Sequence, residues 1–377
     1  MTFRAYQPPY TWNSNTRTLQ VFSGALATQS LMDPHLDVVP RAGLLRNAPL
    51  RSIESIEPSP REFLQSWFSL LPEQQHLHTK SAVVKAVRDS CVPSMEKWLS
   101  AVARELAVAL TSAPDLLVEY LVPFWEAATC RLYGLAPEEG PRLSRVARTF
   151  GTLLASPWWT PQAENAASQC MRYLHALTAR LIRCEEWTPL GCTLKELSRD
   201  RAVGGEWFAA ATLAQLVSAG FQPTITAAVL GWIEYRTLAT GRANQKESAV
   251  AAEMIRLAVQ KNPPFPLIHR WVASDCGCLG IELQRGDHIV IRIAEANSSG
   301  EQSRGAMRHG AAGLSFGHGR HYCAGAQLAT LLAEAAVSAL VVERPQLQPA
   351  STVPIDAAKR TEHLLCFECF PCVDHRQ

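Results

Sequence analysis

Apolar residues recur at i, i+3 and i+4 from about Ser81 to Val203, mixed with Ala, Arg and Glu, and this spacing predicts a succession of amphipathic helices. From Trp207 to Thr240 helix-forming residues run almost without a break. At 1.5 Å per residue such a helix would extend about 50 Å, enough to cross a whole domain. Glu253 to Val259 predicts a further helical segment, after which the pattern changes. Short Val/Ile-rich pieces around Gly280 and Gly286, between Trp271 and Ile293, predict small β-hairpins. A Gly/Ser/Arg-rich loop from Ser298 to Gly325 leads into Ala326 to Val342, whose Ala and Leu content predicts a buried helix. The first 60 residues, rich in Pro, Asn and Ser, predict irregular chain with short strands. The expected fold is mainly α, with a minor sheet concentrated at the two ends. No repeat, low-complexity tract or linker divides the chain, so a single domain over residues 1–377 is expected.

Composition narrows the class of function. With 47% hydrophobic and 19% charged residues, the chain falls among globular proteins and away from disordered ones. Its 36 basic and 34 acidic residues leave a charge of +2, which gives no footprint for nucleic acid or an anionic membrane surface. The N-terminal MTFRAYQPPYTWNSNTRTLQ lacks an apolar core and a cleavage site, so no signal peptide is expected. The best candidate for a membrane span, Ala209 to Leu230, is broken by Gln215, Gln222 and Pro223. Eleven unevenly spaced cysteines fit a reducing compartment better than a disulfide framework. These features together predict a soluble, cytoplasmic protein.

The densest cluster of candidate chemistry is Leu314-Ser-Phe-Gly-His-Gly-Arg-His-Tyr-Cys-Ala-Gly-Ala-Gln-Leu-Ala329. Here Cys323 precedes a predicted helix, whose N-terminal N–H groups, with Arg320 nearby, would favour the thiolate. Gly317, Gly319 and Gly325 permit tight turns and the close approach of something large and flat. A thiolate on haem iron pushes electron density toward cleavage of an O–O bond. The run resembles the haem-binding loop of the cytochrome P450 superfamily, Phe-Gly-x-Gly-x-His-x-Cys-x-Gly, matched at Phe316, Gly317, Gly319, His321, Cys323 and Gly325. Leu328 and Ala329 continue the match. The resemblance implies haem b held by Cys323 as the axial ligand of its iron.

Other readings of the same residues are weaker. Gly313-Leu-Ser315-Phe-Gly317 fits a nucleophile elbow, which would make a serine hydrolase, but that motif needs a preceding strand and Met307 to Ala312 does not look like one. His318, His321 and Cys323 match no structural-zinc spacing. Tyr322 stands where a dinucleotide fingerprint requires Gly. Near the C-terminus, Cys366-x-x-Cys369-x-x-Cys372, with His363 and His375 close in sequence, fits a partly buried strand better than a metal site.

The resemblance implies further residues. A Glu-x-x-Arg pair at Glu253 and Arg256, with Arg308 eight residues before Phe316, corresponds to the group that holds the loop before the cysteine. The usual Pro comes three or four residues after that Arg, whereas here Pro263 and Pro264 come seven and eight after it. Arg270 and His321 fall where the family sets cations against the haem propionates. Among His76, His78, Lys80 and Lys85, His78 is favoured for a further propionate contact. Leu31-Met-Asp33-Pro34 resembles the motif after the family's first strands.

In the long central helix the family carries (Ala/Gly)-Gly-x-(Asp/Glu)-Thr, whose acid and hydroxyl deliver protons to bound dioxygen. Ala219 and Gly220 match, but the acid is replaced by Gln222 and the threonine by Pro223. Gln222 does not titrate, and Pro223 has no N–H, so the carbonyl of Ala219 is freed and a kink is expected. Thr224 lies one residue on, about 100° round the helix, and cannot simply inherit the role. Two readings follow from the resemblance. One is a monooxygenase that relays protons through water, Thr224 or a substrate hydroxyl, and that needs ferredoxin and ferredoxin reductase partners. The other is an oxygen-independent enzyme: a peroxygenase, an isomerase, or one that opens a substrate N–O or O–O bond, as in nitrene transfer. A hydrophobic or aromatic natural-product-like substrate is expected, contacted by Ala219, Gly220, Gln222, Pro223, Thr224 and residues 264–268.

Overall fold

The computed structural model describes residues 8–38, 57–154, 159–185, 188–200, 205–238, 247–277, 280–299, 313–350, 358–360 and 364–374. In chain order its main elements are β1 (Tyr10–Asn13), β2 (Thr18–Val21), α1 (Gly24–Met32), β3 (Leu36–Asp37) and α2 (Pro60–Gln65). There follow α3 (Glu73–Ser90), α4 (Pro93–Ala109), α5 (Val122–Tyr133), α6 (Gly140–Leu154), α7 (Pro161–Arg183), α8 (Pro189–Arg199) and α9 (Gly205–Leu238). Then come α10 (Glu247–Lys261), β4 (Leu267–Val272), β5 (His288–Arg292), α11 (Ile293–Ser298) and α12 (Ala326–Glu343). The chain closes with β6 (Leu347–Pro349), β7 (Ala358–Arg360), β8 (Leu365–Phe367) and β9 (Cys372–Asp374). Packing divides it into two compact units, Met1–Ala48 with Val259–Cys323, and Pro49–Ala258 with Ala324–Gln377.

The first unit is built on a five-stranded sheet of order β1-β2-β5-β4-β3. Strand β2 runs parallel to β5 and the other pairs are antiparallel. The register sets Leu19 and Arg270 beside Ile289, and Val21 and Ile268 beside Ile291. Alternation then turns Leu19, Val21, Val272, Ile289 and Ile291 inward, onto Ala27 and Leu31 of α1 and Ile293 and Ala296 of α11. On the other face Trp271 stacks on His288, and His269 Nδ1 lies 3.0 Å from His288 Nε2. Helix α1 was not foreseen; Ser23 starts it by accepting a hydrogen bond from the N–H of Leu26. The strands near the N-terminus therefore join those after α10 in one sheet.

The second unit holds the helices. Thr160 and Thr188 cap α7 and α8, and a reciprocal Ser59–Glu62 capping box opens α2. Helix α9 has 34 residues and is apolar on nearly every side, which demands burial all round. It packs against α6, α7, α8 and α12. At Gly231 an added Cβ would stand 3.0 Å from the Cα of Ile255, so glycine sets how closely α9 and α10 approach. The expected kink does not interrupt α9, which continues through Pro223 for four more turns. A proline inside a helix costs about 3 kcal/mol, and the packing of both flanking segments offsets it. Helices α9 and α12 are long and apolar enough to cross a membrane by length and composition, with 61% and 44% of their apolar windows buried inside the protein. For α9 most of that window is buried, as in a core helix. The strands near the C-terminus form two separate two-stranded ladders, β6–β9 and β7–β8.

Candidate functional site

In the first unit the segment before Cys323 is a set of nested turns. The N–H of Gly317 donates to Leu314 O at 2.8 Å, that of Tyr322 to Gly319 O at 3.0 Å, and that of Cys323 to Phe316 O at 2.9 Å. Gly319 has φ +67°, and an added Cβ would lie 2.6 Å from Met32 Sδ. Only glycine adopts that conformation cheaply and leaves room for the end of α1. Arg320 fastens the turns from the other side, donating to Leu36 O at 2.7 Å and Asp33 O at 3.3 Å. The Leu31-Met-Asp33-Pro34 stretch noted in the sequence thus braces the Cys323 segment. Cys323 itself is exposed, while Phe316, Gly317, His321 and Gly325 are half-buried.

Asn297, which the sequence reading missed, is the centre of the loop's attachment. Its Nδ2 donates to Gln260 O at 3.0 Å and to Ser315 Oγ at 3.3 Å, and its Oδ1 accepts from Leu314 N at 2.8 Å. Ser315 in turn donates to Val259 O at 2.8 Å. Val259 and Gln260 belong to the last turn of α10, where helix carbonyls lack intrahelical partners. Asn297 and Ser315 therefore cap α10 while holding Leu314. Gly313, at φ +61°, leaves no room for a side chain against Asn297 Oδ1. We expect Asn297→Ala to lower stability by about 1–3 kcal/mol, because Leu314 N–H loses its buried acceptor; thermal unfolding measures it. Ser315 stands in a turn, with no strand directly before it among the described residues, and its hydroxyl is engaged in this cap.

Arg270 carries the main electrostatic observation. It projects onto the core face of the sheet and is 7% exposed. Its guanidinium donates to His269 O at 2.8 Å, and among the described residues it forms no ion pair. Burial, and then the positive charge of Arg320, lower its pKa to about 10, while Asp37 opposes the shift. The group therefore stays cationic at neutral pH, as a buried charge beside a second cation. Such a charge is stable only with an anionic partner.

In the second unit, Ala219 is exposed, Gly220, Gln222 and Pro223 are half-buried, and Thr224 is buried. Leu216, Ala219, Gly220, Gln222 and Pro223 interrupt a helix whose residues from Phe208 to Gln215 and from Thr224 to Trp232 are buried. A Cβ added at Gly220 would meet nothing within 4 Å. Thr224, about 100° round from Pro223, turns into the packing. Glu253 and Arg256 lie half-buried on one face of α10. Arg308 lies outside the described residues. His78 is exposed on α3; its neighbour His76 is buried, with Nδ1 2.8 Å from Phe68 O. Cys366 lies half-buried in β8, Cys369 is exposed, and Cys372 is buried in β9 with its thiol pushed up to about 12 by burial. None of the described cysteines forms a disulfide. Among the described residues no three His, Cys, Asp or Glu side chains are grouped so as to hold a metal ion.

No protein-family model matches the chain. It is similar to the vitamin D(3) 25-hydroxylase of Pseudonocardia autotrophica, with 25% identity over 296 residues, 74% of this chain and 70% of that one. To mycocyclosin synthase of Mycobacterium tuberculosis it is 25% identical over 296 residues, 74% of this chain and 71% of that one. Among solved structures it resembles cytochrome P450epoK bound to epothilone D, with TM-score 0.79 and 14% identity, covering 98% of this chain and 94% of that one. At that identity the likeness speaks for the fold.

Proposed function

The chain belongs to the cytochrome P450 superfamily of oxidoreductases and has its fold, and from that premise we propose a haem-thiolate monooxygenase of hydrophobic small molecules. The single observation that carries the reading is the pairing, in one unit, of the Cys323 segment with a buried cation that has no ion-pair partner among the described residues. Haem b offers what both need: an iron for a thiolate and two carboxylates for cations. Cys323 would hold the iron, and Arg270 with His321 would hold the propionates. Bound there, the group supplies insertion of one oxygen atom from dioxygen into an unactivated bond.

This chain's own residues then set the conditions. Arg270 brings a fixed charge that persists well above neutral pH. Gln222 and Pro223 stand where the resemblance places the proton-relaying acid and hydroxyl. The Gln222 amide can hold a water or a substrate group but cannot release a proton near neutrality. Thr224 is buried, so a proton has to arrive through ordered water or through the substrate. Natural-product tailoring is the substrate context we favour, supported by the mycocyclosin synthase and epothilone-bound relatives. Ferredoxin and its reductase would supply electrons.

The missing acid and hydroxyl specifically favour a second reading, in which the oxidising equivalent is already present in a peroxide or in a substrate N–O or O–O bond. Gln222→Asp combined with Pro223→Thr separates the two. Under the monooxygenase reading, the ratio of product to reductant consumed rises several-fold in that variant. An unchanged ratio, with product formed from ferric protein without dioxygen, establishes the oxygen-independent reaction instead.

A further inference from the structure

Pro223 leaves one backbone group of α9 without its helical partner. In an α-helix each N–H donates to the carbonyl four residues before it, and a proline has no N–H to give. Helix α9 nevertheless runs unbroken from Gly205 to Leu238 through Pro223. The flanking N–H groups of Gln222 and Thr224 are thereby aimed at the carbonyls of Ser218 and Gly220, and the ladder offers nothing to Ala219 O. The pyrrolidine ring also crowds that carbonyl, which turns it away from the helix axis.

The freed group lies on the accessible side of the helix. At about 100° per residue, Leu216, Ala219, Gly220 and Pro223 fall within one sector about 100° wide. A helical carbonyl points along the axis toward the residue four on, so Ala219 O stands between Ala219 and Pro223, inside that sector. Ala219 is exposed and the other three are half-buried, whereas Val217, Ser218, Phe221 and Thr224, elsewhere round the helix, are buried. A Cβ added at Gly220 would meet nothing within 4 Å, so no neighbouring side chain closes over this sector there.

The surroundings define what fits. Leu216, Ala219, Gly220 and Pro223 give an apolar surface, and from Leu216 to Thr224 the sequence contains no charged residue. A ligand charge placed there would be desolvated without a counter-ion, whereas a neutral donor would be matched. A purely apolar ligand that displaces water from the carbonyl forfeits a hydrogen bond, and one carrying a donor replaces it.

We propose that the Ala219 carbonyl, freed by Pro223, anchors a neutral N–H or O–H group of an otherwise hydrophobic substrate. This rests on the haem-thiolate reading, which makes α9 substrate-facing. Pro223 thereby sets specificity through the backbone, at a position where the resemblance expects a hydroxyl.

The test restores the missing donor. Pro223→Ala and Pro223→Val both return an N–H to position 223, and valine also keeps most of the bulk of proline. Equilibrium dialysis of the haem-loaded protein gives affinities for matched probes, indole with benzothiophene and 2-naphthol with naphthalene. The donor-bearing member of at least one pair should bind the parent about tenfold more tightly, the scale of one hydrogen bond. In both variants that ratio should fall to about one, because the carbonyl is now bonded within the helix. Pro223→Ala should melt no lower than the parent, since a helix-interior proline has been removed. A ratio near one in the parent overturns the proposal and leaves the carbonyl to water alone. It is equally overturned by no binding of any probe, by a ratio that survives in either variant, or by a lower melting temperature of Pro223→Ala, whose N–H would then have found no free acceptor. Failure of the haem-thiolate reading shows separately, as loss of the thiolate absorption signature in the parent sample.

Discussion

Cys323→Ser should abolish turnover, by about a thousandfold or more, the scale on which removing a reaction-centre group acts, while the fold stays intact. The reason lies in how the segment is held. Its turns close through backbone hydrogen bonds and through the Arg320 guanidinium on the Leu36 carbonyl. Cys323 is also exposed, so replacing sulfur by oxygen empties no core volume. A serine hydroxyl remains protonated near neutrality and is a poor donor to iron, whereas a thiolate is a strong one. The melting temperature should therefore hold within a few degrees while activity disappears. A variant that keeps substantial turnover would remove Cys323 from the reaction centre. One that fails to fold would instead show that the thiol is structural.

The largest expected effect on stability is at Arg344. Its side chain is 7% exposed and pairs with Asp374, which is 3% exposed, at 2.7 Å. The same guanidinium donates to Leu110 O and Thr111 O at 2.6 Å and to Ala107 O at 3.3 Å. Those carbonyls lie in and just beyond the last turn of α4, where the helix has no donors of its own. One cation thus ends a helix and fastens β9. Arg344→Leu leaves Asp374 buried without its partner and the carbonyls without donors. The expected loss is about 3–5 kcal/mol, a fall in melting temperature on the order of 10 °C. Adding Asp374→Leu should recover part of it, because the second substitution removes the stranded charge. A double variant no more stable than Arg344→Leu alone would show that the carbonyl caps, not the ion pair, carry the effect.

What could be read from the sequence was local. The Cys323 loop is recognisable because its fixed positions lie within ten residues, each with its own backbone or chemical requirement. Helix α9 is recognisable because its helix formers are continuous, and its structural limits, Gly205–Leu238, fall close to the expected ones. What escaped was non-local. Asn297 sits in a Ser/Gly run that looks like a loop, yet its partners lie on α10 and beside Gly313. Arg270 was singled out only through the resemblance; its burial depends on sheet register, which puts it on the core face near Arg320, and no local pattern encodes that. The contacts of the Arg320 guanidinium with the Asp33 and Leu36 carbonyls are likewise non-local. Helix α1 was hidden because it spans only nine residues, within a segment whose overall Pro, Asn and Ser content points to irregular chain. Arg344 reads as an ordinary basic residue at a helix end, although its acceptors lie more than 200 residues earlier.

The most direct measurement of the central claim is the absorption spectrum of the purified protein after reduction under carbon monoxide, recorded beside Cys323→Ser. Thiolate ligation predicts a strongly red-shifted Soret band in the parent and its absence in the variant. A parent that binds no haem, or a band that stays unshifted or persists in Cys323→Ser, would contradict it.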